Sequence, residues 1–409
     1  MKAPRGQLEQ RLLVLVTLAL VAFGLVMVFS ATSAAAALGK GDPITYLKRQ
    51  GVYALFGIAL LVVFSRSDHR RLRNLAPPLL LTALGLCVAV LVVAPQINGA
   101  RRWLTAGPLT FQPSELAKLA LLVWAAAYFS RKGAPRTLGE LWKPVGMVTC
   151  LFAALIVIEP DLGTTIALLL MIGGMLVVAG VPGRTLGAAA TIATLGGLAA
   201  IWIEPYRRAR LFSFLHPWKD PEDTGFQTVQ ALIGIGSGGV TGKGLGEGVQ
   251  KINYLPEQQT DMILAVIGEE LGLIGTAAVI AAFAAFAFAG FTVALRCRDP
   301  FGKLLAAGIT SLVCGQAAVN LAAVLGVAPL TGIPLPFVSY GGSSLVVLLA
   351  AVGILLNIAG DERKPQRVAS PDRRRRNGRA RPAVARSRSS AARPRRQRDV
   401  RRVAGSGRG

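Results

Sequence analysis

Charge is scarce in this sequence. Of its 409 residues only 16% are Asp, Glu, Lys or Arg, against 53% hydrophobic, where a soluble chain carries nearer a quarter charged. That deficit argues against a soluble globular protein, and several apolar runs reach the ~18–20 residues that cross a ~30 Å hydrocarbon core. The chain reads as a polytopic membrane protein. Cysteine and histidine are scarce too. Cys87, Cys150 and Cys314 fall inside apolar runs, Cys297 lies in a short basic loop, and no C-x-x-C pair occurs, which disfavours a disulfide or metal framework. His69 and His216 belong to different loops, so no histidine-based metal site is expected. A cleavable leader is not expected either. The first apolar run, about residues 12–37, is too long for a signal-peptide core and reads as the first span.

The charge that is present is unevenly placed. From Arg363 onward, 18 Lys and Arg face only Asp372 and Asp399, which accounts for +16 of the net +24. Residues 361–409, a low-complexity mixture of Arg, Ser, Pro and Ala, are expected to form a disordered cytoplasmic tail that meets anionic lipid or serves as an arm for a partner. No aromatics interleave with its arginines, so nucleic acid is not its expected ligand.

Residues 1–11 form a short cytoplasmic N-terminus and 12–360 an all-α membrane domain of about ten transmembrane helices. The spans fall near 12–37, 50–65, 77–95, 116–130, 144–158, 162–181, 186–203, 261–291 and 304–327, with a tenth ending near 360. The segment RSDHRRLR after the second span holds four arginines and is cytoplasmic by the positive-inside rule, which puts both termini inside. Residues 204–260, between spans 7 and 8, then form a large extracytoplasmic loop. Within it TVQALIGIGSGGVTGKGLGEG is too short and interrupted to span, and reads as a re-entrant or interfacial helix and loop. It is not a nucleotide-phosphate loop, because Ser237 stands where the first Gly is needed and Gly244 where Ser or Thr is needed. Turn-making, or backbone N–H groups approaching an anion, are its two readings.

The polar residues that carry chemistry gather in the outward loops. Asp261 stands at the junction of the long loop and the eighth span. A carboxylate near bilayer depth is a functional-site candidate by default, while Thr260 or Asp261 could equally cap the helix that follows. Arg101 and Arg102 follow the third span, near Gln112, Glu115 and Lys118. Glu115 and Lys118, three residues apart, share a helix face and can pair. Either they form a structural ion pair, or Lys118 and an arginine hold a phosphate-bearing ligand. Asp161 reads as the cap of the sixth span. Glu269, eight residues past Asp261, is expected about 12 Å deeper along one continuous helix.

Five stretches in order, NGARRWLTAGPLTFQPSELAK, EPDLGTT, GFQTVQALIGIGSGGVTGKGLGEG, YLPEQQTDMILAVIGEELGLIG and PLPFVSYGGSS, resemble the SEDS family of FtsW and RodA over about residues 10–360. The stretches GLVMVFSATS and NGARRW make the chain more similar to the division branch. The resemblance implies a peptidoglycan glycosyltransferase that polymerises lipid II during cell division, in the bacterial cytoplasmic membrane at the septum, with a class B penicillin-binding transpeptidase and other division proteins as partners. A RodA-like elongation polymerase is the alternative within the family. By the resemblance Asp261 is the essential acid of the LPE-x-x-TD motif. Arg101, Arg102, Gln112, Glu115, Lys118, Asp161, Glu257 and Ser339 are the candidate substrate-binding residues. Asn253 and Thr331 depart from the pattern, standing where some members have an acid and a lysine. The expected chemistry has Asp261 as general base on the acceptor 4-hydroxyl, since desolvation makes a carboxylate a stronger base. Arginine, lysine or a divalent cation (Mg or Mn) would stabilise the pyrophosphate leaving group; no cofactor is otherwise implied. The rivals are a lipid II flippase, which needs access from both leaflets, and a division scaffold docked through its tail.

Overall fold

A chain that crosses hydrocarbon must satisfy its own backbone N–H and C=O groups, and a helix does so within each segment. The structure, a computed structural model, describes residues 7–37, 43–96, 99–106, 109–222, 225–250 and 258–361. Its helices are α1 (Gln7–Ala37), α2 (Pro43–Arg66), α3 (Leu72–Val93), α4 (Pro113–Lys132), α5 (Leu138–Leu141), α6 (Met147–Ile158), α7 (Leu162–Ala179), α8 (Gly183–Ile203), α9 (Pro205–Leu215), α10 (Phe226–Gly238), α11 (Ile263–Arg296), α12 (Pro300–Val324) and α13 (Gly342–Asp361). A π-helical turn, Trp142–Gly146, joins α5 to α6. A short antiparallel ribbon of β1 (Leu104–Ala106) and β2 (Leu109–Phe111) pairs Thr105 with Thr110. Asn253, Glu257 and the tail from residue 362 lie outside the described residues.

Among the described residues nine helical segments are long and apolar enough to cross a membrane. The helix α4 is not one of them. At 20 residues it is long enough, but it carries Glu115, Lys118, Arg131 and Lys132. The nine are α1, α2, α3, α5–α6, α7, α8, α11, α12 and α13, and the other segment anticipated above corresponds to α4. Two start earlier than composition suggests. The second begins at Pro43, where Tyr46 packs edge-on against Tyr340 at 5.3 Å. The fifth begins at Leu138, capped by Thr137, whose hydroxyl accepts from the Glu140 N–H at 3.3 Å.

The central helices are α12 and α13, with 72% and 78% of their most apolar windows buried, whereas none of that of α8 is buried. Close approach to α12 relies on glycine and small side chains. A Cβ on Gly308 would meet Leu122 of α4 at 2.0 Å, and one on Gly174 of α7 would meet Ser311 Oγ at 1.9 Å. Such small-residue contacts let membrane helices pack without a hydrophobic driving force between them.

The direction of the bundle follows from its polar ties. Arg296 at the end of α11 donates to Glu9 near the start of α1. Arg70 pairs with Asp361 at 2.7 Å, and His69 meets Asn357 at 2.9 Å. These lie at the end that carries the basic loops. At the other end Ser30 of α1 donates to Glu270 at 2.8 and 2.7 Å, so α1 and the long part of α11 are antiparallel. The ribbon β1–β2 docks at that same end, where Tyr53 of α2 exchanges hydrogen bonds with the Thr110 backbone and Ser343 donates to the Thr110 carbonyl at 3.0 Å.

Candidate active site

The eighth span is not one continuous helix. Gly272 breaks α11 with φ 64° and ψ −158°, a conformation open essentially to glycine alone. The break is stabilised from outside the helix. The glycine-rich segment 239–250 lies across it, so that the carbonyls of Glu269 and Glu270 accept from Lys243 and Gly244 N–H, both at 3.0 Å. In return the N–H groups of Leu273 and Ile274 donate to Gly239 and Val240 carbonyls at 2.9 and 3.2 Å. The same segment aims two further N–H groups, of Val249 and Gln250, at the Glu269 carboxylate at 2.9 and 3.0 Å, and Lys243 Nζ joins them at 2.8 Å. The glycines make the turns, with positive φ at Gly239, Gly242, Gly244 and Gly246, and the N–H groups just beyond them approach an anion that is the protein's own buried carboxylate.

This corrects the depth expected for Glu269. Gln258 donates to the Ala31 carbonyl at 2.8 Å, and Glu270 meets Ser30 one residue earlier on α1. The half-helix from Ile263 to the break therefore crosses α1 at one level instead of descending beside it. The 13-residue α10 lies against this half-helix, with Gly238 so close that a Cβ would meet the Gly268 carbonyl at 2.0 Å. It is the non-spanning helix anticipated within the long loop.

Asp261 stands at the head of the half-helix. Capping does not explain it: α11 starts at Ile263, its cap position is Met262, and no side-chain cap bond is seen there among the described residues. Instead the backbone around Asp261 is held from three directions. Gln258 is tied to α1, the Gln259 carbonyl accepts from Tyr340 N–H at 2.8 Å, and Asn320 of α12 donates to the Asp261 carbonyl at 2.8 Å. The carboxylate is partly exposed, receives Thr260 Oγ1 at 3.2 Å, and lies 3.9 Å from where a Gly332 Cβ would be.

Gly332 belongs to the uncharged segment 325–341, which enters the bundle without helix. Asn320 also donates to the Ile333 carbonyl at 2.8 Å, joining this segment to the backbone of Asp261. Further on, Phe337 and Val338 are fully buried, and their backbone presses on α1 at Gly24, where a Cβ would meet the Phe337 carbonyl at 2.6 Å. Non-helical backbone at such depth is tolerated only where protein surrounds it. The hydroxyl of Ser339 accepts from Leu335 N–H at 2.8 Å and its carbonyl accepts from Gln50, so this residue is committed to the fold of its own segment.

The opposite wall is the turn Glu159–Pro160–Asp161. Asp161 caps α7, accepting from Thr164 N–H at 2.9 Å and Thr164 Oγ1 at 2.8 Å, and also takes Gln112 Nε2 at 3.1 Å. Two residues on, a Cβ at Gly163 would meet the Thr331 carbonyl at 2.7 Å. The 331–333 backbone thus has the Asp161 turn on one side and Asp261 on the other. Arg102 donates to the carbonyls of Glu159, at 2.8 Å, and Pro160, whereas the exposed Arg101 donates only to the Leu91 carbonyl at 3.0 Å among the described residues. On α4, Lys118 and Glu115 are fully buried and paired at 2.9 Å, and Glu115 Oε2 has no hydrogen-bond partner among the described residues. The ion pair is present, as the three-residue spacing permits.

Sequence reasoning passed over Asn320, Gln258 and Glu159. Asn320 had a signal, since Gln316 and Asn320 stand four apart on one face of an apolar run and both are buried. Glu159 is fully buried, neither of its carboxylate oxygens finds a hydrogen-bond partner among the described residues, and burial with Asp161 nearby pushes its carboxyl up to about 8 against the pull of Arg102. Among the described residues no three His, Cys, Asp or Glu converge to hold a metal ion.

A partly exposed carboxylate whose flanking backbone is held by α1, α12 and Tyr340 suits proton abstraction from a substrate that approaches along the membrane. Relatives agree in kind. The family model described as cell cycle protein, for FtsW, RodA and SpoVE, matches residues 10–364. A probable peptidoglycan glycosyltransferase FtsW of Geobacter sulfurreducens is 43% identical over 350 residues, which are 85% of this chain and 94% of that protein. A solved structure described as the structural coordination of polymerization and crosslinking by a peptidoglycan synthase complex aligns with a TM-score of 0.73 at 33% identity, over 86% of this chain and 98% of that one. The rod shape determining protein RodA of Thermus thermophilus aligns with a TM-score of 0.63 at 31% identity, over 86% and 97% of the two chains. On a match that runs through all of its long helices, the chain belongs to the FtsW/RodA/SpoVE family.

Proposed function

We propose that this chain is a peptidoglycan glycosyltransferase that polymerises lipid II at the outer face of the bacterial cytoplasmic membrane, in the division branch of its family. The observation that carries the mechanism is the setting of Asp261: it does not cap its helix, and its backbone is pinned by α1, by α12 and by the segment at Tyr340. A base held this way keeps its geometry while a substrate oxygen loses its proton.

In the reaction, the acceptor 4-hydroxyl oxygen forms a bond to the anomeric carbon of the lipid-linked donor. Its proton passes to Asp261, and the bond from that carbon to the pyrophosphate oxygen breaks. Undecaprenyl pyrophosphate leaves with the electron pair. Arg101 is the arginine exposed enough to meet that growing charge. Arg102, Gln112 and Asp161 shape the wall opposite, and the Glu115–Lys118 pair stiffens α4 behind it. Glu257 stays in the proposal as a neighbour of Asp261 by sequence. A class B transpeptidase is the proposed partner, because the relative with the TM-score of 0.73 is described as a synthase complex that couples polymerization to crosslinking. Placement at the division septum is part of the proposal, supported by the likeness to FtsW.

The test is purified protein with its cognate transpeptidase in detergent, given labelled lipid II. Glycan ladders are expected from wild type, with Asp261→Asn slower by at least about a hundredfold, the usual scale for loss of a general base. Ladders of equal strength from both would remove Asp261 as base. Silence from both beside an active partner would favour the flippase or scaffold.

A further inference from the structure

Glu159 is a buried acid that the proposed mechanism does not use. It lies between α6 and α7 in the turn that also carries Asp161. Its side chain is wholly enclosed, and both carboxylate oxygens lack a hydrogen-bond partner among the described residues. The charge of Arg102 favours the ionised form but does not outweigh burial and Asp161, and its N–H groups make no hydrogen bond to the carboxylate. Arg102 directs its N–H groups to the main-chain carbonyls of residues 159 and 160. The other ionisable groups that face it are Asp161, two residues away, and the Cys87 thiol of α3. Neither would stabilise a negative charge. An ionised carboxylate enclosed without donors and beside a second acid is among the costliest arrangements a protein can hold. The neutral acid is far cheaper. The turn that places Asp161 against Gln112, and leads into α7 where Gly163 meets the 331–333 segment, is therefore compatible with a protonated Glu159 and strained by an ionised one.

We infer that Glu159 is a positioning residue that keeps the Glu159–Asp161 turn closed only while it carries its proton, so that losing the proton on the alkaline side opens the wall opposite Asp261 and stops polymerisation. The inference rests on the proposed glycosyl transfer for its activity readout, and on the fold alone for its stability readout. The direction is fixed by linkage. The folded protein binds this proton more tightly than the unfolded chain does, so stability falls as pH rises from the ordinary carboxyl value of 4.5 to about 8 and levels off above that. Activity, which needs the closed turn, falls above about pH 8, by about tenfold for each further pH unit, in proportion to the protonated fraction.

The test compares wild type with Glu159→Gln, which keeps shape and neutrality, and Glu159→Ala, which removes the group. The complex with its transpeptidase is assayed on lipid II across the alkaline range, and thermal unfolding of the purified protein is followed at several pH values at one heating rate. Glu159→Gln is expected to match wild type near pH 7, to lose its alkaline fall, and to show a melting point level between about pH 5 and 8 where that of wild type declines. Identical alkaline falls and identical melting trends in the two proteins would overturn the inference, as would a folded Glu159→Gln that is inactive at pH 7. Glu159→Ala, if folded, is expected to be slow at every pH with no alkaline fall of its own. Should wild type make no glycan at any pH, the functional reading fails. The melting comparison still decides whether Glu159 is held protonated.

Discussion

Substituting Gly272 by alanine tests the architecture of the site at the break in α11. The backbone there, at φ 64° and ψ −158°, costs a residue with a side chain about 1–3 kcal/mol before any contact is considered. The new Cβ would lie 2.4 Å from Gly242 N and 2.6 Å from the Val240 carbonyl oxygen. These are backbone atoms with no rotamer to change, so the segment 239–250 has to move away. Moving it breaks the four main-chain hydrogen bonds it makes across the break, at 2.9 to 3.2 Å, each contributing about 1 kcal/mol net. It also removes the Val249 and Gln250 donors from the buried Glu269 carboxylate. The backbone and hydrogen-bond contributions together come to about 5–7 kcal/mol, enough to raise local opening of this segment several thousandfold or more while the membrane bundle persists. Hydrogen exchange and limited proteolysis of the purified protein should report rapid exchange and cleavage within 239–250, together with strongly reduced glycan synthesis. Gly236→Ala is the control, because its Cβ would meet nothing within 4 Å and helical Gly→Ala exchange is mildly stabilising. If Gly272→Ala kept both the protection of the loop and the rate of polymerisation, the claim that this loop holds the half-helix of Asp261 would be refuted.

Two further substitutions separate the anchors from the chemistry. Asn320→Ala leaves the carbonyls of Asp261 and Ile333 without their shared donor; a stability loss of about 2–3 kcal/mol and a fall in kcat with little change in KM are expected from unfolding and steady-state assays. Lys243→Met removes one partner from buried Glu269, whereas Lys243→Met with Glu269→Gln removes the charge as well. The double variant should be the more stable of the two by about 1–2 kcal/mol; if the single variant proved the more stable, the ion pair would not matter to the loop.

The helices themselves were legible in the sequence. Apolar length, the arginines of RSDHRRLR, the three-residue spacing of Glu115 and Lys118 and the capping chemistry of Asp161 are local signals, each read within a turn or two of one helix. So was the prominence of Asp261, a carboxylate where apolar sequence begins. Its two readings could not be separated at that stage. A cap and a carboxylate held for another role look alike until the helix start at Ile263 and the grip of Asn320, 59 residues further on, are both seen.

What only the tertiary structure decided is how polar groups are satisfied across the chain. The break at Gly272 exists because donors and acceptors from residues 239–244 complete it. Without them the same sequence has every local reason to run on as one helix. The anion beneath the glycine-rich loop is Glu269, some 20 residues along the chain, and nothing in the spacing of glycines names it. The segment 325–341 reads as an uncharged outer loop yet buries Phe337 and Val338 against Gly24, since a missing charge permits burial without requiring it. Glu159 is the sharpest case. Its sequence neighbours Pro160 and Asp161 suggest a turn at the surface, and it is enclosed only because α3, Arg102 and the start of α7 close around it. Periodicity and composition determine where the chain can be a helix in a membrane; the partner of each backbone group and each buried charge is set by three-dimensional neighbours that lie far away in sequence.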